Sequence, residues 1–224
     1  MSLPLLAALV LVAQDPYAAR RASMVRTQME QRDVRDAQVI EVMRTVPRHL
    51  FVPPEARGAA YEDSPLRIGY GQTISQPYIV ARMTEILLAT NPQKVLEIGT
   101  GSAYQAAVLA QLVPKVYTVE RILALVPLAR QRLRELNLRN VSLKQSDGTW
   151  GWPQQAPFDA ILVTAAPAEI PKALLEQLVD GGRLVIPVGA GSAQTLAVIT
   201  RRGDQFDREN VESVSFVPLV GGGA

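Results

Sequence analysis

The chain has 224 residues, 48% of them hydrophobic and 20% charged, and a formal net charge of +2 spread along its length. This suits one domain with a real core and gives no ground for nucleic-acid binding. The absence of cysteine and the single histidine, His49, exclude disulfides, thiolate nucleophiles, cysteine-ligated zinc and any His-rich metal site, so the chemistry must need little acid–base help and no metal is expected.

Leu3 to Ala13 carries no charge and is too short to span a bilayer, which takes about 20 residues. It has the length of a signal-peptide core with a cleavage point after Ala13, yet no Lys or Arg precedes it. An apolar helix packed on the body, or a true start at Met24, are the other readings. Residues 1–14 are therefore set apart from a single domain over 15–224. Its first part, 15–90, reads as helices and loop. Asp15 to Gln31 is polar and basic with apolar residues at helical spacing, and Asp36 can cap a helix from Ala37 to Val46 that Pro47 ends. Phe51 to Pro54 is expected to be extended, and Tyr61 to Gln76 to be a loop rich in Gly, Pro and Ser. Pro77 to Leu88 follows as a helix.

Strands and helices alternate over 91–224. Val95–Ile98, Val116–Val119, Val141–Lys144, Phe158–Thr164 and Arg183–Val188 are strands. Ala103–Leu112, Ile122–Leu136 and Ile170–Val179 are helices, the last ended by Gly181-Gly182. Gln194–Thr200 and Val211–Phe216 are two further strands joined through Arg202-Gly203-Asp204. The fold class is α/β: a doubly wound, mostly parallel, Rossmann-like sheet with a terminal antiparallel hairpin and added N-terminal helices.

The sharpest signal is Glu97-Ile98-Gly99-Thr100-Gly101-Ser102-Ala103, between a strand and a helix. Ligands of open α/β sheets bind at such carboxyl ends, glycines allow close backbone approach, and the helix N-terminus that follows favours anionic groups. The dinucleotide fingerprint needs a small residue three positions after the second glycine; Tyr104 stands there. The small residue is Ala103, and the acidic residue is Glu97, which together resemble the first motif of class I methyltransferases. Glu120, 19 residues after Gly101, ends the next strand and can accept hydrogen bonds from ribose hydroxyls. Ser146-Asp147-Gly148 ends the strand after that, where this class places an acidic residue near the adenine amino group.

Outside that loop, Pro47-Arg48-His49-Leu50-Phe51-Val52-Pro53, Ala60-Tyr61-Glu62-Asp63, Gly71-Gln72-Thr73-Ile74-Ser75-Gln76-Pro77, Phe158-Asp159-Ala160-Ile161 and Phe216-Val217-Pro218-Leu219-Val220 resemble the protein-L-isoaspartate O-methyltransferase family, from about Arg20 to Gly222. The resemblance implies methyl transfer from S-adenosyl-L-methionine to the α-carboxylate of L-isoaspartyl residues in damaged proteins and peptides. It implies an active-site serine at Ser75, in a loop Thr73, Ile74, Ser75, Gln76 that folds over the cofactor. It carries the cofactor positions over to Glu97, Gly99, Gly101, Ser102, Glu120, Asp147 and Gly148. Isoaspartyl proteins are then the expected partners, with no nucleic acid, no stable membrane association, a monomeric state and a cytoplasmic location; export through residues 1–13 is the alternative. Three positions depart from the family, which usually has Gly at Ala103 and Ser146 and often His at Tyr70.

His49 reads as a structural residue near a helix end. Trp150 and Trp152 read as packing or as a wall of the cofactor pocket. Three other functions remain open on the residues alone: a class I methyltransferase of a small-molecule acid, a nicotinamide-dependent oxidoreductase, which Tyr104 disfavours, and a binding module without catalysis.

Overall fold

A computed structural model describes residues 15–191 and 193–221, so the apolar segment over 1–13 lies outside the described residues. The chain begins with α1 (Ala18–Val25), which runs into a wider helical turn over Arg26–Glu30. Next comes α2 (Ala37–Thr45), started as expected by Asp36, whose Oδ1 accepts from the Gln38 and Val39 amides at 2.8 and 3.0 Å.

Two expectations for the next stretch need correction. Only Val52 and Pro53 are extended; Arg48–Phe51 and Pro54–Ala59 form short 3-10 helices, the second because Pro54 at a first helical position favours a helical turn rather than opposing it. The Tyr61–Gln76 segment is not all loop either. It holds a small hairpin, β1 (Leu66–Gly69) against β2 (Gln72–Ile74), reversed through Tyr70 at φ 53°. The helix α3 (Pro77–Leu88) has the expected bounds.

The remaining elements are β3 (Lys94–Ile98), α4 (Tyr104–Ala110), β4 (Lys115–Glu120), α5 (Leu125–Glu135), β5 (Val141–Gln145), β6 (Phe158–Val163), α6 (Lys172–Glu176), β7 (Leu178–Ala190), β8 (Ala193–Arg202) and β9 (Gln205–Val214). They build one sheet in the order β5-β4-β3-β6-β7-β8-β9. The pairs from β5 to β7 are parallel, and β8 and β9 join antiparallel. This is the doubly wound sheet with a terminal antiparallel hairpin. Ile161, Leu162 and Val163 in β6 are fully buried, which is why that strand is a continuous apolar run.

Two bounds at this end differ from expectation. The helix before β7 is short, because Leu178 already pairs with Phe158; Gly181-Gly182 lies inside the strand, where the register shifts and Gly181 takes φ +76°. β9 starts at Gln205 because Gly203-Asp204 makes a two-residue turn that pairs Arg202 with Gln205. Its first six residues are exposed, so no apolar alternation marks them. Among the described residues, no helix is long and apolar enough to cross a membrane.

Candidate active site

Chain order in the sheet reverses between β3 and β6, and at such a switch point the carboxyl ends of the strands open a crevice. The loop from Gly99 to Ala103 leaves β3 there. Gly99 takes φ +95°, and a Cβ on it would collide with the hydroxyl of Thr164 just past β6. The Thr164 amide donates to the Ile98 carbonyl at 2.9 Å, and its hydroxyl reaches the Gly99 carbonyl at 2.7 Å. Only glycine allows this close approach of two strand ends.

Glu120 holds the same loop from the other side. Its Oε2 accepts from the Gly101 amide at 2.7 Å and its Oε1 from the Ile122 amide at 2.8 Å. Each carboxylate oxygen can accept more than one hydrogen bond, so acceptor capacity remains toward the cleft that Glu120 lines.

Glu97 is placed differently. It is fully buried beneath the loop and lines no cleft. Thr118 donates to its Oε2, and the Thr100 and Thr118 hydroxyls lie 2.6 Å apart. Burial pushes its carboxyl up to about 8, with the neighbouring Glu120 adding to the rise and Thr118 opposing it. At neutral pH it is therefore a neutral acid under the glycine loop.

The hairpin β1–β2 borders the crevice. Gln72 and Thr73 line a first cleft with Gly99, Gly101, Glu120 and Gly148, closed at the far side by Val217–Val220. A second cleft adjoins it, lined by Thr73, Ser75, Gln76, Ile79 and the 213–217 strip. Thr73, Thr164 and Val217 belong to both. Ile74, Ser75 and Ser102 also face a narrow recess over the glycine loop. The structure thus gathers nine of the eleven sequence-predicted residues at the clefts, all but Glu97 and Asp147; Gly148 lines the first cleft, whereas the Asp147 Oδ1 turns to the Thr149 amide and hydroxyl at 2.8 and 2.7 Å and caps the turn there.

No charged side chain lines the second cleft. His49 lies elsewhere, its Nδ1 2.7 Å from the Tyr61 hydroxyl and its ring stacked 4.1 Å from that of Tyr17; burial pushes its pKa down. Trp152 packs edge-on against Tyr117 at 5.3 Å, and the Gln177 amide bonds the Trp150 carbonyl and the Trp152 amide at 2.8 Å each. Trp152 is a packing residue, Trp150 is 59% exposed, and neither lines the clefts.

Sequence reasoning missed Thr164 and Gln194. Gln194 bonds both backbone groups of Phe216, donating at 3.0 Å and accepting at 2.7 Å, so it continues the sheet past the end of β9. The Ala166 amide donates to Val217 and the Leu219 amide to Ala166, both at 2.8 Å. These bonds fix the wall shared by the two clefts. A threonine just past a strand and a glutamine near the start of another have no spacing signature.

The strand order, the glycine loop after the first parallel strand and a carboxylate ending the second define a class I S-adenosylmethionine-dependent methyltransferase. The sequence matches the family model described as protein-L-isoaspartate(D-aspartate) O-methyltransferase over residues 19–224, and the chain belongs to that family. It is 56% identical over 205 residues to protein-L-isoaspartate O-methyltransferase 1 of Marinobacter nauticus, covering 91% of this chain and 94% of the relative. A solved protein-L-isoaspartate O-methyltransferase structure superimposes with a TM-score of 0.81 at 26% identity, covering 90% of this chain and 66% of that one. A Plasmodium falciparum structure in complex with S-adenosyl-L-homocysteine shares the fold, with a TM-score of 0.79 at 24% identity over 89% of this chain and 98% of its own.

Proposed function

We infer that this protein transfers a methyl group from S-adenosyl-L-methionine to the α-carboxylate of L-isoaspartyl residues in proteins and peptides. The observation that carries the reading, beside family membership, is that two adjoining clefts share Thr73, Thr164 and Val217, one holding the glycine loop and the other Ser75.

The residues present fit the methyl donor. Gly99 lets the loop pass tightly against Thr164, where any side chain would collide, and so keeps the loop backbone on the wall of the first cleft. Glu120 keeps acceptor capacity for the two ribose hydroxyls, and Gly148 packs so closely that a Cβ there would meet Ile98 Cγ2 at 2.5 Å, which keeps a flat wall for the adenine. Gly101 and Ser102 would line the amino-acid end, with Thr73, Ile74 and Gln76 covering it. Asp147 would act through the turn it caps, and Glu97 through the loop above it. When bound, S-adenosyl-L-methionine supplies a methyl carbon made electrophilic by the adjacent sulfonium.

An isoaspartyl α-carboxyl has a pKa of about 3 to 4 and is ionised at neutral pH, so the protein needs no general base. The second cleft meets that carboxylate with hydroxyls and the Gln76 amide, all neutral groups. Ser75 donates a hydrogen bond to one carboxylate oxygen and leaves the other to react. A Lys or Arg in its place would hold the anion as an ion pair and blunt it as a nucleophile. The Phe216–Leu219 wall and the β1–β2 hairpin restrict water. Positioning of this kind contributes roughly 7–11 kcal/mol to a bimolecular step.

The substrate reading also implies a cytoplasmic protein, because the methyl donor is made inside cells, and a monomer, because both clefts are completed by one chain. The test is a methyl-transfer assay with an isoaspartyl peptide and its aspartyl twin. Strong preference for the isoaspartyl peptide is expected; equal rates would point to a methyltransferase of ordinary carboxylates.

A further inference from the structure

Arg48 belongs to the Pro47–Pro53 segment, which the site as described does not use. Its side chain is fully buried. Among the described residues no carboxylate pairs with it; two of its three nitrogens donate to backbone carbonyls instead, and Nη1 finds no hydrogen-bond acceptor among them. Nε donates to Ala60 at 2.8 Å and Nη2 to Ser75 at 2.7 Å. The guanidinium lies 4.8 Å from the ring centre of Tyr104, the first residue of α4. Burial pulls its pKa down to about 10, so it remains a cation at neutral pH.

A buried cation without an acid is costly, and apolar residues of similar volume often stabilise a fold more. The contacts of Arg48 are nevertheless specific. It ties three segments that meet at the clefts: the Ala60 loop, the Ser75 loop and the start of the helix after the glycine loop. The planar guanidinium can reach two carbonyls and a ring face at once, which a lysine cannot. Ser75 faces both the recess over the glycine loop and the second cleft, so a small shift of its backbone moves its hydroxyl between them.

We propose that Arg48 is a positioning residue of the methyl-transfer site, which sets the place of the Ser75 hydroxyl by bonding the Ser75 carbonyl from a guanidinium seated over the Tyr104 ring. The proposal rests on the reading of Ser75 given above. Arg48 touches neither substrate nor cofactor in this role, and its effect passes through Ser75.

The experiment is a double-mutant cycle of Arg48→Lys and Ser75→Ala, with Arg48→Met as a second variant that fills the volume without a charge. Calorimetry with S-adenosyl-L-homocysteine counts binding-competent sites in each protein, and kcat and KM for an isoaspartyl peptide are expressed per site. Both Arg48 variants should bind S-adenosyl-L-homocysteine as the wild type does and lose on the order of 10²-fold in kcat/KM, the scale of a 1 Å misplacement. Adding Arg48→Lys to Ser75→Ala should cost nothing further. Fully additive losses, unchanged kcat/KM per site, or failure of both Arg48 variants to fold would each overturn the proposal. Additive losses with a slow Ser75→Ala leave the Ser75 reading intact; a fully active Ser75→Ala removes that reading and this proposal with it.

Discussion

The hydroxyl of Thr164 lies 2.7 Å from the carbonyl oxygen of Gly99 and occupies the space where a side chain on residue 99 would be. Two strand ends on either side of the switch point are thereby tied together, which constrains the glycine loop between them. Gly99→Ala should lower stability by about 2–4 kcal/mol, part from a Cβ at positive φ and part from the collision. Thr164→Ala in the same chain removes the collision but not the backbone strain. The cycle of the two substitutions, followed by denaturant unfolding, should give a coupling of about 1 kcal/mol. Strict additivity would show that the two residues do not constrain each other.

Glu120 offers a second test, of ligand binding rather than stability. Its two oxygens already accept the Gly101 and Ile122 amides, so Glu120→Gln turns one acceptor into a donor facing an N–H. Hydrogen bonds to charged groups contribute about 1.5–3 kcal/mol, which corresponds to roughly 10- to 100-fold in affinity. Calorimetric titration with S-adenosyl-L-homocysteine should show a loss of that size. An unchanged Kd would remove Glu120 from the ribose site.

The neutral acid under the loop has a pH signature. Burial raises the Glu97 carboxyl from its ordinary value of 4.5 to about 8 in the fold. A raised carboxyl pKa favours the fold fully below about 4.5, and that advantage is lost as pH rises toward about 8. Glu97→Gln has no proton to lose. Measured from pH 5 to 8, the stability of the variant should therefore gain on the wild type by up to about 1.4 kcal/mol per pH unit. A constant difference over that range would mean that Glu97 ionises in the fold as it does in water.

The burial of Glu97 marks the limit of what the sequence could reveal. Its position before the glycines was legible, because the strand–turn–helix context singles out that loop. Its depth was not, because alternation of side-chain faces does not tell which polar residue a neighbouring strand will cover; Thr118, its partner, comes from β4. Asp36 and the α2 start were legible for the opposite reason, since a cap bonds residues two and three positions away. The first half of β9 was hidden because an exposed edge strand has no apolar period. Thr164 and Gln194 act across 65 and 22 residues of chain, and no local pattern encodes such pairs.

Ala103 sets the last prediction, since the family usually has glycine there and the backbone takes φ 70° at this fully buried position. An alanine in the left-handed region costs about 1–2 kcal/mol. Ala103→Gly relieves that cost, but the freer unfolded chain takes back about 0.4–1 kcal/mol, and the lost buried methyl about 0.8 kcal/mol. These terms nearly cancel, so Ala103→Gly should change the unfolding free energy by less than about 1 kcal/mol and leave S-adenosyl-L-homocysteine affinity unchanged. Ala103→Val has no such compensation, because a β-branched residue at positive φ is a genuine outlier, and it should cost at least about 2 kcal/mol. Denaturant unfolding of the three proteins decides the matter. A large gain on Ala103→Gly would mean that alanine strains the loop more than its buried methyl stabilises it, whereas an innocuous Ala103→Val would mean that the loop can leave the left-handed conformation altogether.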